Sequence, residues 1–286
     1  MESSQQTLKG SVELAGTGLF FGKPVSLCLN PAPVNSGIRF VRTDLPGRPA
    51  VIANANSIAN DTRRVLLKNE EAEVEGIEHL MACLAGLRID NVEIELDARE
   101  MPACDGSGQD YLNLINKVGL EKQDAQKRYF EGKDSVVISD GNASISLIPG
   151  NNGLHISYSL GFNGYNFDNT FSISLTDSNF MEQIAPARTF GLFENISKFK
   201  ELGIGNGITD DNTIIVHKSG VTTKPLSMAP ANLRFANECT RHKILDLIGD
   251  LYLSNLTIRG HIIARRSGHF LNIRMARKLI EISAVT

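Results

Sequence analysis

Residues 76–96 read GIEHLMACLAGLRIDNVEIEL, and the spacing of their apolar side chains changes halfway along. From Gly76 to Leu87, Ile77, Leu80, Met81 and Leu84 follow the i, i+3, i+4, i+7 rule of one helix face, which leaves His79 and Cys83 on a different face. Val92, Ile94 and Leu96 then alternate with Glu93 and Glu95, the period of a half-buried strand over Asn91–Leu96. The same order returns near the other end, with a helix around Glu238–Leu253, a strand around Leu256–Ala264 and a helix beginning near Ser267. Each time a His-bearing helix leads to an alternating strand and then to a Gly/Ser turn that opens another helix. The turns are Asp105-Gly106-Ser107-Gly108 before Gln109–Val118, and Ser267-Gly268-His269. The recurrence predicts an α+β fold of two related domains, each a sheet layered against helices.

Outward from these segments, Ser11–Leu14, Val25–Leu29 and Ile38–Arg42 read as strands of a mostly antiparallel sheet, and Ser135–Ile138, Ala143–Ile148 and Leu154–Leu160 open a second set. The polar stretch Glu121–Arg128 between them marks the boundary, giving domains 1–124 and 125–286. Hydrophobic residues at 42% and charged residues at 21% supply an ordinary globular core and exclude a disordered or fibrous chain. With 29 Lys and Arg against 32 Asp and Glu, and no basic run, the chain has no footprint for nucleic acid. No segment reaches the apolar length of a membrane span, and the N-terminus has no basic and apolar leader, so a cytoplasmic location is expected. Cys28, Cys83, Cys104 and Cys239 form no Cys-x-x-Cys pair and read as plain thiols. Two Gly-rich segments stay outside nucleotide-binding motifs. GTGLFFGK has Thr17 where a P-loop needs Gly and reads as a turn, and GIGNG (203–207) follows a helix and reads as a flexible loop beside a cleft.

The chemistry gathers on RHKILDLIGD, residues 241–250, where His242, Asp246 and Asp250 fall at successive i, i+4 positions. Side chains four apart on a helix are neighbours, so His242 and Asp246 can reach one cation. Taken alone, His-x-x-x-Asp is more often a solvated polar stripe on an amphipathic helix. A catalytic zinc commonly takes three protein ligands and leaves a fourth position open. His79 is the remaining histidine that sits on a helix beside a carboxylate, and Glu78 would stand within reach of a water acidified by the metal. By itself that dipeptide is more often a surface Glu and a capped His. His269 at the start of the last helix can give a proton to a leaving amine if Asp250 holds it as imidazolium. His155, His217 and His261 lack such partners.

These segments resemble the UDP-3-O-acyl-N-acetylglucosamine deacetylases, zinc-dependent enzymes of lipid A biosynthesis. The resemblance runs nearly end to end through TLKGSVELAGTGLFFGKPV, IEHLMACLAGLRIDNVEIEL, MPACDGS, ARTFGL, RHKILDLIGDLYL and SGHFLN. It implies an active site in the cleft between two α+β domains, with one zinc ion per chain on His79, His242 and Asp246. It implies Glu78 as general base, His269 as general acid supported by Asp250, and Thr189 polarising the amide carbonyl. Phe190 would flank the substrate, and Lys243 would direct positive charge toward its nucleotide diphosphate. Fe(II) accepts the same ligand types and is the rival metal in the cell. An apolar passage for the acyl chain is expected from an insertion near Phe190–Leu202.

The sequence departs from the family pattern at Phe20, where His is usual, at Phe162-Asn163-Gly164-Tyr165, and at Asn195, usually acidic. The expected partner is a small molecule, an acylated UDP-amino sugar, met by a monomer with neither nucleic acid nor a membrane span. A zinc deacetylase for another nucleotide sugar or N-acetyl sugar remains open, as does a non-catalytic nucleotide-sugar-binding module.

Overall fold

The first half of the chain runs β1 (Ser4–Leu8), β2 (Val12–Thr17), β3 (Pro24–Pro31), β4 (Ile38–Arg42), β5 (Ala50–Ile52), a small hairpin of β6 (Leu66–Lys68) and β7 (Glu73–Glu75), α1 (Glu78–Gly86), β8 (Val92–Leu96), α2 (Gln109–Val118) and β9 (Leu120–Gln126). The second runs β10 (Val136–Asp140), β11 (Ala143–Pro149), β12 (Leu154–Gly161), β13 (Asp168–Leu175), α3 (Asp177–Asn179) with a following π turn, β14 (Phe190–Leu192), α4 (Phe193–Glu201), β15 (Ile214–His217), β16 (Gly220–Thr222), α5 (Glu238–Tyr252), β17 (Gly260–Arg265) and α6 (His269–Ser283). This computed structural model describes residues 4–59, 65–165, 168–218, 220–222 and 232–285.

Each half builds a five-stranded sheet with the same connectivity, β2-β3-β8-β4-β5 in the first and β10-β11-β17-β12-β13 in the second. In both, two hairpins come first and the central strand comes last, antiparallel to β3 or β11 and parallel to β4 or β12. A parallel neighbour needs a crossover, and α1 and α5 are the last helices of the two crossovers. The repeat legible in the sequence is therefore a true duplication of topology, and the fold is the two-part α+β arrangement expected. On β8 the alternation does what its pattern says: Val92, Ile94 and Leu96 are buried while Glu93 and Glu95 are partly exposed.

Three segments differ from the sequence reading. The polar stretch Glu121–Arg128 is no loose connection. It is largely β9, which pairs antiparallel with β1 through Thr7–Glu121 and Leu8–Leu120, and its polarity reflects a strand with a solvated face. The last central strand begins at Gly260, not Leu256. The polar side of α5 is not solvated either: from Glu238 to Leu251 nearly every side chain is buried, His242, Asp246 and Asp250 included. Among the described residues no helix is long and apolar enough to cross a membrane.

Helices of the two halves meet in the middle, α1 against α5, with α5 also against β12 and α6, and α2 against β2. The approach of α1 to α5 is set by Gly249. A Cβ at this position would overlap the carbonyl oxygen of Glu78 and come within 3.1 Å of the amide nitrogen of Ala82. Those neighbours are backbone and cannot swing aside. Replacing Gly249 by Ala is therefore expected to force the helices apart and lower stability by about 1–3 kcal/mol, seen as a lower urea midpoint at unchanged m-value.

Candidate active site

Two helices from different halves bring their polar residues to one point. Glu78 and His79 occupy the first turn of α1, and His242 and Asp246 lie one turn apart on α5. One ligand-type atom from each of His79, His242 and Asp246 can be chosen so that all three lie within 4.8 Å of one another. Asp246 Oδ1 lies 3.3 Å from His242 Nε2 and 3.7 Å from His79 Nε2. His242 Nδ1 lies 3.0 Å from the carbonyl oxygen of Ala187, a contact that holds the proton on Nδ1 and leaves the Nε2 lone pair toward Asp246.

The protonation states suit a cation. Burial first, and His242 second, push His79 down to about 3, so its imidazole is neutral. Burial likewise lowers His242. Burial disfavours the charged form of Asp246, but Lys243 and the histidines outweigh it and hold its carboxyl well below the usual range. Lys243 Nζ donates to Asp246 Oδ2 at 2.7 Å, whereas Oδ1 is buried and receives no hydrogen bond. A buried carboxylate oxygen between two neutral imidazole nitrogens, with no donor of its own, is what a divalent metal would satisfy. The residues fit such an ion.

A proton-handling pair stands beside this group. His269 opens α6, with Nδ1 at 2.8 Å from Asp250 Oδ2, which also accepts from Asn272 Nδ2 at 2.8 Å. Its Nε2 faces Glu78 Oε1 at 3.7 Å and Asp246 Oδ2 at 4.0 Å. Burial opposes charge on His269, but Asp250 prevails and raises it to about 9. Glu78 is pushed up to about 7, chiefly by burial, with His269 opposing and Asp246 and Asp250 adding to the rise. At neutral pH Glu78 is thus near its midpoint and able to take a proton, while His269 is protonated and able to give one.

Glu78, His79, His242, Lys243, Asp246 and His269 line a cleft of about 420 Å³ between the halves, with Asp250 and Asn272 buried behind His269. Thr189 is fixed through its backbone, donating to Gly106 O at 2.7 Å and accepting from Ile214 N at 2.9 Å, so it sits where the halves touch. The Phe190 ring lies edge-on to His242 at 6.1 Å and to Phe162 at 6.0 Å, with Lys243 Nζ 5.8 Å from its centroid. The lobe of β14, α4, β15 and β16 supplies Leu192, Ile196 and Phe199 to an apolar end of the cleft. Phe20, Phe162 and Asn195, the positions that depart from the family pattern, all line it. GIGNG is docked: Gly205 N and Asn206 N donate to Phe20 O, and Gly207 N to Leu19 O, tying the lobe to the first half.

Three supports escaped the sequence reading. Glu100 accepts from Phe20 N at 2.6 Å and Phe21 N at 3.1 Å, clamping the GLFF turn. Asn272 shares the Asp250 oxygen, a role foreshadowed only by its i+3 spacing from His269 on α6. Arg188 forms a buried pair with Glu238, its backbone N at 3.0 Å and Nε at 2.8 Å from Oε1, which holds the Ala187–Phe190 segment against α5. Both side chains are buried by a contact fifty residues apart in sequence, and no local signal reveals it.

A His/His/Asp group beside a carboxylate and an imidazolium, in a cleft between two α+β halves, belongs to the metal-dependent hydrolases. The sequence pattern of the UDP-3-O-acyl N-acetylglycosamine deacetylases matches residues 5–281, and the chain belongs to that family. It is 36% identical to a UDP-3-O-acyl-N-acetylglucosamine deacetylase of Teredinibacter turnerae over 282 residues, covering 97% of this chain and 90% of that protein.

Because Glu238 is buried and its partner is a guanidinium, Arg188→Met strands a charge and is expected to lower stability by about 3–5 kcal/mol. The double variant Arg188→Met/Glu238→Gln should recover part of the loss in urea unfolding. Equal stability of single and double variants would mean the pair does not hold this segment.

Proposed function

We propose that the chain is a zinc-dependent hydrolase that removes the N-acetyl group from UDP-3-O-acyl-N-acetylglucosamine, giving UDP-3-O-acyl-glucosamine and acetate, the committed step of lipid A biosynthesis. Membership in the deacetylase family supports the reaction, and one observation carries the assignment of residues: Glu78 and His269 flank the His79, His242 and Asp246 group with their protons set for base and acid. His79, His242 and Asp246 would hold the zinc, which supplies Lewis-acid polarisation of the amide carbonyl and acidifies a water. Two imidazoles and a carboxylate are an ordinary zinc set, and Fe(II) fits them as well.

Glu78 takes the proton of the attacking water as it adds to the acetamide carbon. The Thr189 hydroxyl donates toward the carbonyl oxygen as negative charge develops there. His269 passes its Nε2 proton to the departing amine, and Asp250, buttressed by Asn272, keeps that imidazole charged and aimed. Phe190 walls the sugar side of the cleft. Lys243, held on Asp246, adds positive potential toward the diphosphate. The acyl chain takes the apolar end lined by Leu192, Ile196 and Phe199. Domains 1–124 and 125–286 are supported by the two sheets that fall on either side of that division, although β9 itself spans it. With a nucleotide-sugar substrate the enzyme would act in the cytoplasm, and we take it as a monomer.

Purified protein should release acetate from UDP-3-O-acyl-N-acetylglucosamine, lose the activity to a chelator and regain it with zinc. No release by metal-replete protein would rule out this substrate and favour another N-acetylated nucleotide sugar. Glu78→Ala is expected to keep its zinc and lose about 10²–10⁴-fold in turnover, whereas His242→Ala should lose metal and activity together.

A second expectation concerns Asp250. His269 must be protonated to act, so activity falls as pH rises through its pKa. Removing the Asp250 charge lowers that pKa. Asp250→Asn should therefore shift the alkaline limb of kcat/KM to lower pH with zinc content unchanged, and an unmoved limb would exclude this pairing from catalysis.

A further inference from the structure

A second cavity of about 440 Å³ shares no lining residue with the cleft. It opens at the far ends of the two central helices. Ala85 and Gly86 close α1 there, and Ile248, Leu251 and Tyr252 form the last turns of α5. The inner face of the second sheet, Leu154, Ile156 and Ile262, completes an aliphatic wall. Its size is that of a small-molecule site, within about 300–1,000 Å³.

The charged residues at this wall are unevenly matched. Arg88 is paired with Asp177, and Lys127 with Asp90 and the carbonyl of Arg88. Arg259 has no acidic partner among the described residues. Its guanidinium stacks on the Tyr129 ring, 3.8 Å from the centroid, and its Nε is buried without an acceptor. Stacking fixes the plane of the guanidinium and leaves its edge, a fork of N–H donors that matches a carboxylate. A buried donor left unpaired is unfavourable, and a ligand oxygen would relieve it.

From the aliphatic wall and this one unmatched fork, we propose that the cavity is a second binding site, for a free single-chain, long-chain carboxylate, with the chain against α5 and β12 and the carboxylate on Arg259. The apolar wall accounts for affinity through area removed from water, and the arginine accounts for selection of an anion. The site stands apart from the metal group and does not depend on the deacetylase reading. It does lie on the same two helices that carry Glu78, His79, His242 and Asp246, so an occupant would bear on their separation.

The test is photolabelling of the full chain with a diazirine-bearing dodecanoate, read by peptide mapping, with the matching diazirine-bearing dodecanol as control. Labels are expected on peptides spanning 248–262, competed by plain dodecanoate and unaffected by chelation of metal. The alcohol should label these peptides at least about tenfold less at equal concentration. Arg259→Met should lose about tenfold there while any labelling of the 190–208 lobe stays the same. Labels confined to the 190–208 lobe, equal labelling by the alcohol, or no change in a folded Arg259→Met protein would each overturn the proposal.

Discussion

Everything in the cleft depends on how closely α1 and α5 approach. Neither half holds the His/His/Asp group alone: one imidazole comes from α1, and the other imidazole and the carboxylate come from α5. Their separation is therefore an interhelix distance, and Gly249 sets it by bringing one backbone against another. Helices that approach this closely pack through backbone and small side chains, a geometry more rigid than contact through long ones. The buried Arg188–Glu238 pair then fixes the strand entry that carries Ala187, Thr189 and Phe190 to the same point.

The electrostatics follow from that enclosure. The imidazoles of His79 and His269 are driven to opposite states by what each touches. His79 meets another imidazole and a carboxylate already matched to Lys243, and stays neutral. His269 meets Asp250, buried and shared only with Asn272, and stays charged. Three carboxylates are buried within this small region, an arrangement poor for stability and useful for chemistry. The apolar helices around them carry the stability.

Much of this was legible in the sequence, for definable reasons. Apolar periodicity marked α1, β8 and α2, and its recurrence revealed the duplication, because both halves bury the same faces. The i, i+4 spacing placed His242, Asp246 and Asp250 together, since helix geometry fixes it. Joining them to Glu78, His79 and His269 took the family resemblance as well as the residues, because no local rule says which helices will cross. β9 went unrecognised because a strand with a solvated face carries little apolar alternation, and the docking of GIGNG was invisible because its partners are backbone atoms far away in the chain. The Arg188–Glu238 pair and Gly249 belong to the same class: long-range contacts without a sequence period.

The order of the strands also has a consequence for synthesis. In each sheet two hairpins are made first, and the strand that separates them is made last. While the ribosome is still short of Gly260, β10–β11 and β12–β13 each present a bare edge, and the lobe and α5 must emerge before β17 can cover both. At about 5–20 residues per second that interval lasts seconds, long enough for exposed edges to pair with those of neighbouring nascent chains. A stalled or truncated product ending before β17 is thus a pair of unjoined hairpins, and such fragments are natural substrates for chaperones and proteases.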